Sequence, residues 1–273
     1  MKTAIIIAGD THINSTVALS PPKVQLDDGG TYHASRGQRW LWDGWLEFIE
    51  LAKSKTEGYK RAVILNGDLA ELDTKRRSNQ IITANKATIE HTVREVLDPL
   101  MTWTDSLYVI RGTQAHTGKS GWIEEATASD YDHTVKSSKG VYSHYHLRLM
   151  VDRVPMDIAH HASMPSLPWT EKNAANKIAA VARIRYLDEL KAQPPALMFR
   201  SHNHRWSDSY DNYETRAICL PCWSLMTEYA YRIGAENSSS AIGGMIVLCD
   251  GNQYTEHKFR HTAKVGRVWA LKA

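Results

Sequence analysis

The chain of 273 residues carries 33 Lys and Arg against 30 Asp and Glu, for a formal net charge of +3, and is 42% hydrophobic. This composition excludes a disordered or collagenous chain, and so mild a charge bias does not by itself create a strong field for nucleic acid. No apolar run approaches the roughly 20 residues of a bilayer span, and the run after Lys2 is too short for a signal peptide. A globular protein made and kept in the cytoplasm, with one domain over residues 1–273 and no membrane partner, is therefore expected.

In chain order, the branched run Thr3 to Ala8 is closed by Gly9-Asp10, which predicts a buried strand whose carboxyl end carries Asp10 and His12. Residues 13–36 hold Pro21-Pro22 and Asp27-Asp28-Gly29-Gly30 without sustained periodicity, and read as a long loop beside a site. Leu41, Trp45, Phe48, Ile49 and Ala52 then form one stripe of an amphipathic helix. Ala62 to Leu65 repeats the first pattern and ends in Asn66-Gly67-Asp68. A second helical stripe follows in Ile89, Val93, Val96, Leu97 and Leu100, and a third strand, Leu107 to Ile110, ends at Arg111-Gly112-Thr113.

Beyond Tyr131 the pattern shortens. Val141 to Met150 and Met156 to His161 resemble a hairpin turning at Asp152-Arg153. Residues from Glu171 to Ala192 read as a helix with Ile178, Val181, Ile184 and Leu187 inward and a solvated basic face. Ala196 to Phe199 is the next strand, ending at Ser201-His202-Asn203-His204, and the remainder to Ala273 reads as strands, with Asp250-Gly251-Asn252 the clearest turn. Cys219 and Cys222 have the spacing of a zinc or redox pair, but no second pair follows; they read as small buried hydrophobes near Pro221. Three cysteines, an odd number, suit a reducing compartment.

The strand ends collect Asp10, His12, Asp68, His160, His161, His202 and His204, together with the segment from Gly112 to His116. Asp and His are ligands for borderline divalent ions such as Mn, Fe, Zn or Ni, of which Mn is favoured here. A lone histidine of this kind is more often a satisfied core group, but five such groups each follow an apolar strand. Asp10, His12, Asp68, His160, His202 and His204 exceed the ligand count of one tetrahedral site, so two ions are implied, with Asp68 able to bridge them. Two such ions generate a nucleophile from water at neutral pH and offset charge on a transferring phosphoryl group, which makes phosphate-ester hydrolysis the natural reaction.

In these residues the chain resembles the calcineurin-like metallophosphoesterase family. The elements that carry the resemblance are Gly9-Asp10-Thr11-His12, Gly67-Asp68-Leu69-Ala70-Glu71, Gly112-Thr113-Gln114-Ala115-His116, His160-His161 and Ser201-His202-Asn203-His204. The resemblance implies an α/β fold, a four-layer α/β/β/α sandwich around two mixed sheets. It further implies that Asp10, His12 and His204 hold the first metal, that Asp68 bridges, and that His160 and His202 hold the second. Glu71 takes an acidic position expected to orient a neighbour, and His161 is expected to turn to the opposite face of a continuing strand.

The third motif departs from the family's Gly-Asn-His. Thr113 stands in the Asn register, while Gln114 keeps an amide oxygen, so either or water completes the second sphere. His116 is the candidate acid for the leaving group, with a ligand role as the competing possibility. Arg111, His33, Arg36 and the pair Arg76-Arg77 are candidate substrate contacts, against a solvated surface as the alternative. This variant motif and the loop from Pro21 to Gly30 are similar to those of bacteriophage-encoded phosphoesterases. The reading is a dinuclear phosphoesterase acting on phosphodiesters such as cyclic or other small nucleotides. The alternatives are a nuclease of the same fold, and a metal-binding scaffold without turnover.

Overall fold

The computed structural model describes residues 2–73, 80–162, 170, 173–228 and 241–262. The first branched run forms β1 (Thr3–Ala8), the lead strand of a six-stranded sheet. β4 (Lys60–Asn66), β5 (Ser106–Ile110) and β6 (Ser143–His144) continue it in parallel order. On the other side of β1 the antiparallel strands β12 (Ile242–Asp250) and β13 (Gln253–His261) are joined through the expected turn, with Gly251 at φ +64°.

A second sheet runs β10 (Ser207–Asp208), β11 (Arg216–Cys219), β9 (Leu197–Arg200), β8 (Val154–Ala159), β7 (His146–Val151). β8, β9 and β11 are parallel, and β7 and β10 antiparallel edges. The anticipated hairpin is therefore β7 and β8, turning at Asp152 (φ 51°), but its expected first arm is divided. Ser143 and His144 pair with β5 of the other sheet instead.

The two-residue alternation of β1 explains the layers. Ile6 and Ala8 face one way, into a core with helix α1 (Arg36–Lys55) and helix α2 (Lys86–Met101). Ile5 and Ile7 face the other way, into a core shared with Met156, Ile158, Leu197, Phe199 and Ile218 of the second sheet. The outer face of the second sheet is covered by helix α5 (Ala174–Arg183) against Met198, Ala217 and Cys219. Helices, sheet, sheet and helix make four layers, as the resemblance implied. The stripes of α1 and α2 are buried as expected, and α1 starts at a capping box in which Ser35 and Gln38 exchange hydrogen bonds. Each large aliphatic or aromatic side chain fully buried in these cores contributes about 1.5–3 kcal/mol.

Two expectations are corrected. Residues 13–36 are not all loop: β2 (Lys23–Gln25) and β3 (Thr31–His33) form a small hairpin. Its three-residue arms are too short to show a period, and only the Asp-Asp-Gly-Gly turn announced it. The helix from Glu171 to Ala192 is observed as α5 followed by a π-helix, Ile184–Glu189, with residues 171 and 172 outside those described. Its inward face is Ala174, Ala175, Ala179 and Ala182, while Val181 and Ile184 are 54% and 51% exposed. Alanine carries little hydrophobic signal, yet its small side chain lets the helix approach the sheet closely. The strands expected near residues 229–240 and 263–273 fall outside the described residues, as do Arg76 and Arg77. No helix among the described residues is long and apolar enough to cross a membrane.

Candidate metal centre

β1, β4, β5, β8 and β9 deliver their following loops to one place, beyond the carboxyl ends of parallel strands where α/β sheets collect ligands. The loops are pinned to one another by backbone bonds: Asp10 N–H donates to Gly67 O at 2.9 Å and His12 N–H to Asp68 O at 3.0 Å. Across the sheets, Ser201 N–H donates to His160 O at 2.8 Å, and Asn66 Nδ2 donates to Ser201 Oγ at 2.7 Å. Asp10, His12, Asp68, His202 and His204 all lie at φ between 44° and 71°. Non-glycine residues rarely adopt this left-handed backbone, and clusters of it mark functional sites where surrounding structure holds the strain. At Gly112 a Cβ would come within 2.1 Å of Asp68 N, so only glycine allows the third loop to close on Asp68.

All six expected ligands converge. Their potential ligand atoms fall into overlapping groups, each within 4.8 Å: Asp10, His12 and His204; Asp10, Asp68 and His160; and His160, His161 and His202. Asp10 and Asp68 are 0% and 1% exposed. His160 Nδ1–H donates to Asn66 O at 2.8 Å, which turns Nε2 toward Asp68 Oδ2 at 3.1 Å. Asp10 Oδ1 is buried without a hydrogen-bond partner, although His204 Nε2 is 3.4 Å away and His12 Nε2 and His160 Nε2 are each 3.9 Å away. His12 Nε2 and His204 Nε2 lie 3.1 Å apart. An orphaned carboxylate oxygen facing three imidazole nitrogens is a donor set that fits a divalent cation.

Electrostatics follow the same geometry. Burial alone would push the His160 imidazole down, but Asp68 and Asp10 beside it raise it to about 9. Burial opposes ionisation of Asp68 and Asp10, and the neighbouring histidines nevertheless hold both below the ordinary carboxylate range. His202, desolvated and beside His160, is lowered to about 4.

Glu71 meets the first group through His12 and, with His12 and His116, makes a further group whose potential ligand atoms lie within 4.8 Å of one another. Its Oε2 accepts from His12 Nδ1 at 3.2 Å and from His116 Nδ1 at 2.7 Å. Both histidines thus keep Nε2 as the free nitrogen. Burial disfavours the Glu71 charge, but the bonds from His116 and His12 lower it to about 2. The His116 ring meets His12 edge-on at 4.7 Å, and its side chain is 33% exposed. Burial lowers the His116 pKa, and the bond to Glu71 outweighs it and raises the group.

Thr113 and Gln114 separate. The Thr113 hydroxyl lies 3.4 Å from His160 Nε2, 3.4 Å from His161 Nε2 and 3.2 Å from His202 Nδ1. Gln114 is exposed at the start of the short helix α3 (Gln114–Thr117) and lines a separate groove with Trp122. His161 corrects the expectation that it turns away: β8 ends at Ala159, so strand alternation does not carry through the pair, and both rings reach the site.

Arg111 is engaged elsewhere. Its Nε donates to Ser143 Oγ at 2.7 Å, and its guanidinium pairs with Glu125 at 3.4 Å and lies over Tyr145. His33 and Arg36 are exposed at the end of β3 and the start of α1, outside the Asp/His groups. Glu124, on helix α4 (Trp122–Ser129), had no signal in the sequence. It is fully buried, Oε1 accepts from Gly112 N at 3.2 Å, Oε2 is orphaned, and burial raises the carboxyl to about 7. The three cysteines are buried and unbridged, as expected of small core residues.

No protein-family model matches the sequence, and no curated protein matches it either. Among solved structures, the chain is similar to the crystal structure of a dimetal phosphatase from Danio rerio, at 10% sequence identity and a TM-score of 0.44, over 95% of this chain and 99% of that one. Function must therefore be read from this chain's own side chains.

Proposed function

We propose that the chain is a two-metal phosphoesterase that hydrolyses phosphodiesters of small nucleotides. The observation that carries this reading is the orphaned Asp10 Oδ1, ringed at 3.4–3.9 Å by three imidazole nitrogens and adjoining a second group through His160 and Asp68. Asp10, His12 and His204 would hold one ion and His160, His202 and His161 the other, with Asp68 between them and the Thr113 hydroxyl in reach of the second. When bound, two divalent ions lower the pKa of a water and offset the negative charge of a phosphoryl group.

The protein's own groups supply the rest. Hydrolysis adds a water oxygen to phosphorus and breaks one ester P–O bond, and the departing oxygen needs a proton. His116 can give it: Glu71 fixes its Nδ1–H, leaves Nε2 as the working nitrogen, and favours the protonated ring near neutrality. Asn66, which hydrogen-bonds Ser201 and accepts from His160, keeps the loops of the two sheets in register. Hydrolysis of bis-p-nitrophenyl phosphate by protein loaded with Mn, Zn or Ni tests the reading. Measurable turnover that chelator abolishes is expected; a fully loaded protein that cleaves neither this diester nor p-nitrophenyl phosphate would leave a binding scaffold.

A further inference from the structure

The outer face of the second sheet carries a groove of about 310 Å³ between α5 with its π-helical extension and β7 to β9. The groove reaches the centre itself, because His161 lines it and also lies beside Thr113. Arg148, Lys177, Arg185 and Arg200 surround it, and among the described residues that line it Asp157 is the single carboxylate. Asp157 is already committed, to Arg200 at 2.7 Å, His146 at 2.7 Å and Arg148 at 3.5 Å. Lys177 and Arg185 have no acidic partner among the described residues. Beneath these cations the lining is apolar, from Ile178, Val181 and Met198, with the Tyr186 ring under Arg148.

The π-helix helps to build this wall. Leu190 N–H donates to Arg185 O at 3.0 Å, the wider spacing that resets the helical register, and Arg185 and Tyr186 both come from that segment. A cationic rim above an apolar and aromatic floor recognises a phosphate attached to a flat apolar body. A second groove, of about 580 Å³, is lined by Leu72, Asp73, Lys86, Ala115 and Trp122, of which Leu72 and Ala115 are the chain neighbours of Glu71 and His116. Lys86 Nζ lies 4.8 Å over the Trp122 ring.

We infer that the groove at His161 is a subsite for the phosphate and base next to the scissile bond of a single-stranded oligonucleotide. This rests on the two-metal phosphoesterase reading and extends its substrate from small nucleotides to short single strands. The first measurement needs no metal: fluorescence anisotropy of a labelled thymidine hexanucleotide in chelator, titrated at several salt concentrations, for wild type, K177A/R185A, and K53A/K55A, which removes the same charge from exposed positions on α1.

Two lost phosphate contacts reduce the slope of log K against log salt by about 1.4. K177A/R185A is expected to show that smaller slope and at least a tenfold weaker affinity, with K53A/K55A like wild type. The second measurement compares kcat/KM on a 5′-phosphorylated thymidine dinucleotide and on bis-p-nitrophenyl phosphate. The double variant should lose at least tenfold more on the former. Equal binding by all three proteins, equal loss in both variants, or no oligonucleotide binding by wild type overturns the subsite. Absence of diester cleavage by wild type instead overturns the phosphoesterase reading on which it rests.

Discussion

Replacing Glu71 by Gln tests how the first group of histidines is set. One carboxylate oxygen now accepts from both His12 Nδ1 and His116 Nδ1. A glutamine can place its amide oxygen at that acceptor, but it brings no negative charge, so both charge-assisted bonds weaken and the two rings are held less firmly. Glu71 is lowered from an ordinary 4.5 to about 2 and its side chain is 12% exposed, which corresponds to roughly 3 kcal/mol of stability in the metal-free protein. Because the folded value is depressed, that contribution is complete above pH 4.5 and disappears as pH falls toward 2. Urea denaturation in chelator should find Glu71→Gln about 3 kcal/mol less stable at pH 7, with a shallower loss below pH 4.5. Metal titration should show a 10–100-fold weaker affinity, the usual effect of losing a carboxylate behind a metal-binding histidine. Unchanged stability together with unchanged metal affinity would refute this account of Glu71.

Other expectations follow from the same structure. His116→Ala should lower kcat on bis-p-nitrophenyl phosphate by about 10²–10⁴ while metal content stays at the wild-type level; loss of one ion would make His116 a ligand instead. Glu124 is raised from 4.5 to about 7, so its contribution is complete below pH 4.5 and is lost as pH rises through 7. Metal-free wild type should therefore lose roughly 3 kcal/mol across that window relative to Glu124→Gln in parallel urea denaturations, and parallel pH profiles would contradict it. Trp45 is fully buried edge-on to Trp223 and donates from Nε1 to Val96 O at 2.9 Å. Trp45→Ala should cost about 3–5 kcal/mol by chemical denaturation, and a loss below 1 kcal/mol would show that the helical layer repacks freely.

The convergence of the six candidate ligands was legible in the sequence because each motif follows a short branched strand, and the parallel order of those strands brings their ends together. The stripes of α1 and α2 were legible for a similar reason, since bulky residues recur at helical spacing. His161 was misread because the alternation was carried two residues past the end of β8. The buried face of α5 was read only in part: Ile178 packs against it as expected, but four alanines form it, and Val181 and Ile184 point outward. The distant partners of Arg111 and Glu124, namely Glu125 with Ser143 and the Gly112 amide, depend on a packing of α4 that no local pattern announces. The same holds for the division between Thr113 and Gln114, which a helix start decides.

The proposal that Asp10, Asp68 and the four histidines hold two cations is tested most directly by anomalous diffraction from crystals grown with Mn²⁺. Two peaks per chain are predicted, about 3.5–4 Å apart, with Asp68 within bonding distance of both. A map with no peak at these residues, or with a single ion that Asp68 does not touch, would contradict it.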